Sequence, residues 1–308
     1  MRIAVVGAGA VGGYFGARLA QGGAELVVIA RGAHLAAIRE HGIRLESVAG
    51  DAVVRPVECS DDPSRVAPVE VVLLGVKAWQ VEEAARALAP LLAPGGCVLP
   101  LQNGVEAPTR IDRALGPGHA LGGLCRILSE VVGPGRIRHS GIEPYVAFGE
   151  LGGGDSPRSR RLLEAFARAP GVRAELLPDI ELGMWRKFLL ITGWGAVAAS
   201  SGATIGVIRA DPELRWQLIE AMQEIVLVGR AHGVRLGDDD VRDAMVLMDA
   251  APPEGTTSMQ RDLAAGRPAE VEAQIGAVVR LARDAGVAAP YHAGVLRRLE
   301  SGRAVPTG

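Results

Sequence analysis

The sequence predicts an α/β domain with a doubly wound parallel sheet, followed by a mostly α-helical domain. Two observations predict it. Up to about residue 178, short apolar runs alternate with segments of helical periodicity, the signature of parallel strands joined by crossover helices. From residue 179 onward the strand signals stop and helical periodicity takes over. At about 150 residues per domain, 308 residues make two domains. The division is placed at 1–178 and 179–308.

The elements follow in order. Residues 3–6 form an apolar run, the first strand. The stretch 11–21 reads as a helix, with Val11, Phe15 and Leu19 on one face. Strands are expected over 26–30, 69–76 and 98–101, with a helix over 81–92 stopped by Pro94-Gly95-Gly96. Later strands are expected over 120–128, 136–139 and 145–149, then a helix over 159–169. In the second half helices are expected over 180–199, 212–232, 238–248, 258–265, 269–285 and 291–300. The tail, 303–308, reads as disordered.

Composition removes several functions. A formal net charge of -2 gives no electrostatic case for nucleic acid or an anionic membrane surface. Residues 188–208 carry no charge and are long enough to span a bilayer. Four glycines and four hydroxyl residues interrupt them, so a buried helix with a break is the expectation. Cys59, Cys97 and Cys125 lie far apart, as reduced thiols of a cytoplasmic protein would. No metal is expected, since neither the cysteines nor the six histidines show ligand spacing. Met1 and Arg2 run straight into the first strand, which argues for a strand here and not a cleaved leader.

Gly7-Ala8-Gly9-Ala10-Val11-Gly12 fits G-x-G-x-x-G, directly after a strand and opening a helix. Gly7 permits the tight turn, Gly9 lets backbone approach a pyrophosphate, and Gly12 lets the helix pack on the strand. The helix start then offers free N–H groups to the phosphates. A Rossmann domain binding a dinucleotide follows. An NAD-binding chain usually has Asp or Glu at the end of the second strand. This one has Arg31, while Glu25 sits at the strand's opposite end. Arginine there can pair with a 2′-phosphate, so NADP is expected. The competing reading of Arg31 is a solvated surface residue.

Only two lysines occur, Lys77 and Lys187, and only one asparagine, Asn103. Arginine supplies nearly every other cation, so a retained lysine suggests a role arginine cannot fill, such as releasing a proton. Lys77 and Asn103 both follow predicted strands, at the carboxyl ends where doubly wound sheets bind ligands.

Together, the fingerprint, Val76-Lys77-Ala78-Trp79-Gln80, Leu101-Gln102-Asn103-Gly104, Trp185-Arg186-Lys187 and Thr257-Ser258-Met259-Gln260-Arg261-Asp262, with Glu270 twelve residues after Ser258, resemble the ketopantoate reductase (2-dehydropantoate 2-reductase) family. The resemblance covers nearly the whole chain. It implies NADPH-dependent reduction of a 2-oxo acid to a 2-hydroxy acid, with ketopantoate becoming pantoate. It implies Lys187 as general acid and Glu270 as the group that holds the substrate oxygen and orients that lysine. Lys77, Gln102 and Asn103 would lie at the nicotinamide end, with Asn103 also on the substrate. Ser258 would help bind the substrate carboxylate, and a homodimer is implied. The chemistry is coherent: hydride arriving at a carbonyl carbon leaves charge on oxygen, which an ammonium stabilises and then protonates. Plainer readings stand beside these. Lys187 could cover a helix start, Ser258 could N-cap the helix over 258–265, and Glu270 could lie on a solvated helix face. A paralogue acting on another carbonyl or hydroxy acid, and an NADP-binding sensor without turnover, also remain open. The presence of Lys187, Asn103 and Glu270 argues against the sensor.

The chain departs from the family one and two turns after Lys187. Many members carry asparagines there; this chain has Ile191 and Gly195. Four-residue spacing puts all three on one helical face, so Ile191 would be a substrate neighbour.

Overall fold

A computed structural model describes residues 1–301, so the tail expected to be disordered lies outside the described residues. The chain divides into two compact units. One holds Met1–Gln102 and Ala107–Glu181; the other holds Asn103–Glu106 and the chain from Leu182 onward.

In order, the first unit runs β1 Arg2–Val6, α1 Ala10–Gln21, β2 Glu25–Ile29, α2 Gly32–His41, β3 Ile43–Ser47, β4 Ala52–Val54, β5 Glu58–Ser60, β6 Val69–Leu74, α3 Val81–Arg86, β7 Leu92–Pro100, α4 Ala107–Leu115, β8 Leu121–Arg126, β9 Ser129–Gly133, β10 Arg136–His139, β11 Tyr145–Glu150, α5 Pro157–Ala167 and β12 Arg173–Leu176. The main sheet is parallel throughout, in the order β5-β2-β1-β6-β7. Its side chains alternate between two apolar clusters. Ile3, Val5, Leu26, Val28, Val71 and Leu73 join one; Ala4, Val6, Val27, Ile29, Val72 and Leu74 join the other. Both faces are buried, which is why these strands read as unbroken apolar runs without polar alternation.

The later strands do not extend that parallel sheet. β8 and β11 pair antiparallel in a sheet ordered β12-β11-β8, and β10 lies in a second small sheet ordered β4-β3-β10-β9. β3, β4, β5, β9 and β12 were not expected from the sequence, because strands of three to five residues carry little local pattern. The helix expected over 81–92 stops at Arg86, followed by a 3₁₀ turn at Ala89–Leu91 around Pro90.

The second unit is helical: α6 Ile180–Ser201, which starts at the end of the first unit, then α7 Ile205–Ala210, α8 Pro212–Ala231, α9 Asp238–Ala250, α10 Ser258–Ala264, α11 Ile275–Ala285 and α12 Pro290–Glu300. α6 is apolar on most of its circumference because it is buried on most sides. It runs past the expected end at 199 to Ser201, where Gly202 takes φ +73°, a conformation few other residues tolerate, and α7 begins three residues on. Among the described residues no helix is long and apolar enough to cross a membrane. One boundary differs markedly from expectation. α11 starts at Ile275, not near 269, because Gln274 (φ −113°, ψ −82°) breaks the helical path and residues 270–276 close a wider turn instead. Glu270 therefore does not sit on a helix face.

Candidate active site

The glycine motif performs the packing its spacing demands. Gly7 has φ +86°, and a Cβ on it would lie 2.6 Å from the Val76 nitrogen. A Cβ on Gly12 would lie 2.5 Å from the Gly7 carbonyl oxygen, so the loop and α1 approach at backbone contact. Gly9 is different. A Cβ there would meet nothing within 4 Å, so its face is open. Gly9 also caps α1 without a side-chain bond, and the first turn holds no acidic residue. Close packing at Gly7 and Gly12, with open space at Gly9 beside uncapped N–H groups, fits a phosphate against Ala8, Ala10 and Val11.

Arg31 follows β2 as the exposed N-cap of α2, on the same carboxyl edge. Glu25 pairs in register with Arg2 at the other end of β2 and ion-pairs with it. Lys77 is exposed after β6, its Nζ 5.9 Å from the centre of the Trp79 ring. Gln102 is buried, and its amide nitrogen donates to the carbonyls of Leu74 (2.7 Å) and Val76 (2.8 Å). It ties the end of β6 to the chain leaving β7. Its Oε1 is buried without a protein partner.

The second unit brings three of the expected residues together. Lys187 Nζ donates to Asn103 Oδ1 at 2.9 Å, and Asn103 Nδ2 donates to Glu270 Oε2 at 3.3 Å. The chemistry fixes the amide's orientation: an ammonium can only donate and a carboxylate only accept, so Asn103 must turn its oxygen to Lys187 and its nitrogen to Glu270. Lys187 lies in the second turn of α6, half-buried. Glu270 is likewise half-buried, at the entry of the turn before α11. Such a chain holds an ammonium beside an amide and a carboxylate, a set able to bind and protonate a developing oxyanion.

Ile191 is half-buried one turn along α6 from Lys187, and Gly195 is buried one turn further. Ser258 does not join the hydrogen-bonded trio. It is exposed at the first position of α10, and the capping role expected of it belongs to Thr257, whose hydroxyl accepts from the Gln260 N–H at 3.0 Å. The helix starts one residue earlier than the capping reading required.

Two family models match the chain: Ketopantoate reductase PanE/ApbA over residues 3–153, and Ketopantoate reductase PanE/ApbA C terminal over residues 179–301. A 2-dehydropantoate 2-reductase of Mesorhizobium japonicum is 32% identical, with 92% of each chain covered. The crystal structure of a PanE/ApbA family ketopantoate reductase from Ralstonia eutropha superposes with TM-score 0.86 at 31% identity, covering 98% of this chain and 99% of that one. The 2-dehydropantoate 2-reductase of Methylococcus capsulatus superposes with TM-score 0.89 at 28% identity, over 98% and 97%. The chain belongs to the ketopantoate reductase family. It is therefore an oxidoreductase with an N-terminal Rossmann domain and a mostly helical C-terminal domain.

Several residues that shape this ketopantoate-reductase-like site were not singled out on reading. Gly104 has φ +100°, and a Cβ on it would lie 2.8 Å from the Ala273 carbonyl oxygen, so only glycine lets the Asn103 segment close on the turn that carries Glu270. Val105 packs in the apolar core of the second unit. Glu106 pairs with Arg280 at 2.9 Å, and Arg280 also holds the Glu272 carbonyl and carboxylate. The three residues after Asn103 thus pin it in place. In the first unit His34 braces the glycine loop. Its Nδ1 accepts from the Gly135 N–H, so its Nε2 carries the proton and donates to the Ala8 carbonyl at 2.7 Å. Glycine after Asn103 was a visible turn signal; the histidine and arginine left no local trace.

Proposed function

We propose that this protein reduces a 2-oxo acid to the corresponding 2-hydroxy acid with NADPH, and that Lys187 is the proton donor. The observation that carries the reading is the Lys187–Asn103–Glu270 hydrogen-bond chain, because it gives one of only two lysines a fixed direction. NADPH, when bound, supplies the hydride. The open face at Gly9 and the uncapped start of α1 support a pyrophosphate there, and Arg31 supports a 2′-phosphate.

The chain's own residues then do the following. Lys187 faces the carbonyl oxygen as an ammonium and lowers the energy of the charge that develops there. One N–H bond of Lys187 breaks as the O–H bond of the product forms. The neutral amine regains its proton from solvent. Asn103 holds Nζ in one direction, and Glu270 fixes the amide of Asn103 and accepts from the substrate oxygen once it is a hydroxyl. Lys77 and Gln102 are assigned to the nicotinamide end of the cofactor, and Ser258 to the substrate carboxylate.

The test is the loss of NADPH absorbance on mixing with a panel of 2-oxo acids, with chemical identification of the product. The reading predicts a 2-hydroxy acid formed with kcat/KM of at least about 10⁴ M⁻¹s⁻¹ for its best substrate. NADPH binding with no turnover of any 2-oxo acid would instead support the sensor reading.

A further inference from the structure

On α6 the positions one and two turns beyond Lys187 carry no hydrogen-bonding side chain. Ile191 and Gly195 follow Lys187 at four-residue steps, about 6 Å apart along the helix axis. Ile191 is half-buried, yet among the described residues it belongs to none of the four apolar clusters, whereas Leu189, Leu190 and Trp194 on the same helix pack into one of them. Core packing therefore does not account for isoleucine at this position. At Gly195 a Cβ would lie 2.7 Å from the Met259 methyl, so the end of Met259 fills the space over the glycine. Met259 is fixed there. Thr257 caps α10, and the Gln260 amide donates to the carbonyls of Gly202 (2.9 Å) and Ala203 (3.1 Å) at the end of α6. The polar side chain nearest that Cβ position is the buried Gln274, its Oε1 3.6 Å away.

We infer that this wall selects 2-oxo acids whose carbon chain beyond the carbonyl is apolar, with Ile191 as the specificity-determining residue and Met259 closing the adjacent space. The inference rests on the reading of Lys187 as proton donor, since that reading places the carbonyl beside this helix face. A hydroxyl pressed against Ile191 loses its water partners and gains none from the isoleucine. An apolar pocket rejects an added hydroxyl only moderately, by roughly 10- to 100-fold.

Two acids isolate the effect: 3,3-dimethyl-2-oxobutanoate and its 4-hydroxy derivative, 2-dehydropantoate, which differ by one hydroxyl. With NADPH, the protein is expected to favour the hydroxyl-free acid by about 10- to 100-fold in kcat/KM, carried mainly by KM. Ile191→Asn is expected to move that ratio at least about tenfold toward the hydroxylated acid, while Ile191→Val leaves it within about threefold. Calorimetric binding of both acids in the presence of NADP⁺ should give the same order without turnover. A natural preference for 2-dehydropantoate overturns the inference and leaves the reductase reading standing. So does an unmoved ratio in an Ile191→Asn protein that still unfolds cooperatively. Selective binding of the apolar acid with reduction of neither overturns the reductase reading and supports the selectivity.

Discussion

Asn103 accepts a hydrogen bond from Lys187 across 84 positions of sequence, and at 2.9 Å it gives the lysine a single direction. The same amide donates to Glu270, 167 positions away. Removing it should take this bond from the ammonium without unfolding the chain. Asn103→Ala is expected to lower kcat/KM by about 10- to 100-fold, the cost of a hydrogen bond to a charged group. Gly104→Ala should do similar damage indirectly, since its Cβ would press on the Ala273 carbonyl from a φ of +100°. Steady-state kinetics, with thermal unfolding of each variant, check both.

Arg31 stands exposed at the start of α2, where the account places a 2′-phosphate. Charge-assisted hydrogen bonds of about 1.5–3 kcal/mol correspond to a preference of roughly 10- to 100-fold. Arg31→Ala should reduce the NADPH/NADH ratio of kcat/KM by that factor and leave kcat with saturating NADPH nearly unchanged. An unmoved ratio would remove Arg31 from the role.

Glu224 is a stability prediction. Its carboxylate, on α8, accepts from the backbone N–H groups of Tyr291 (2.6 Å) and His292 (3.1 Å) and from His292 Nδ1 (2.7 Å), so it caps α12 from a neighbouring helix. Ala289, the N-cap itself, has no side chain able to do so. Both Glu224 and His292 are buried. Glu224→Ala leaves three donors without partners and should cost about 3–5 kcal/mol, at about 1–3 kcal/mol for each unsatisfied group. Calorimetric unfolding should show it as a large drop in Tm.

Acid sensitivity follows from Glu150. The Arg158 guanidinium, bonded through Nε and Nη2 at 2.9 and 2.6 Å, holds the Glu150 carboxyl below the usual carboxylate range. A folded-state pKa below the unfolded one means the stabilisation is fully present above the ordinary glutamate range. It is lost as pH falls through the folded value. Stability should therefore decline below about pH 4.5 in step with protonation of this group. Glu150→Gln should be less stable at neutral pH and should flatten that acid limb, measured as Tm against pH.

How much of this was legible depended on the range of the interactions. The glycine loop is a local object: six residues carry its turn, its packing and its open face, so the sequence alone located it. Lys187 and Asn103 stood out through rarity in an arginine-rich chain. The glycines and hydroxyls of 188–208 announced a break but not its place, which Gly202 sets after Ser201 by its positive φ. What joins Asn103 to Glu270 was not visible, since Gly104 on Ala273 and Glu106 on Arg280 are contacts between distant segments. The start of α11 was misplaced for a related reason. Residues 269–274 have acceptable helix propensity, but the turn that presents Glu270 overrides it. The small sheet of β3, β4, β9 and β10 escaped notice because its strands are short and its two hairpins are joined only by the β3–β10 pairing between distant segments.

The most direct test of the central claim compares the natural protein with Lys187→Ala, measuring NADPH binding and 2-oxo acid reduction on the same samples. The account predicts an NADPH Kd within about threefold of the natural value and a fall in kcat of roughly a thousandfold, the loss of a general acid that also stabilises an oxyanion. A variant that binds NADPH normally and keeps kcat within about tenfold would contradict it.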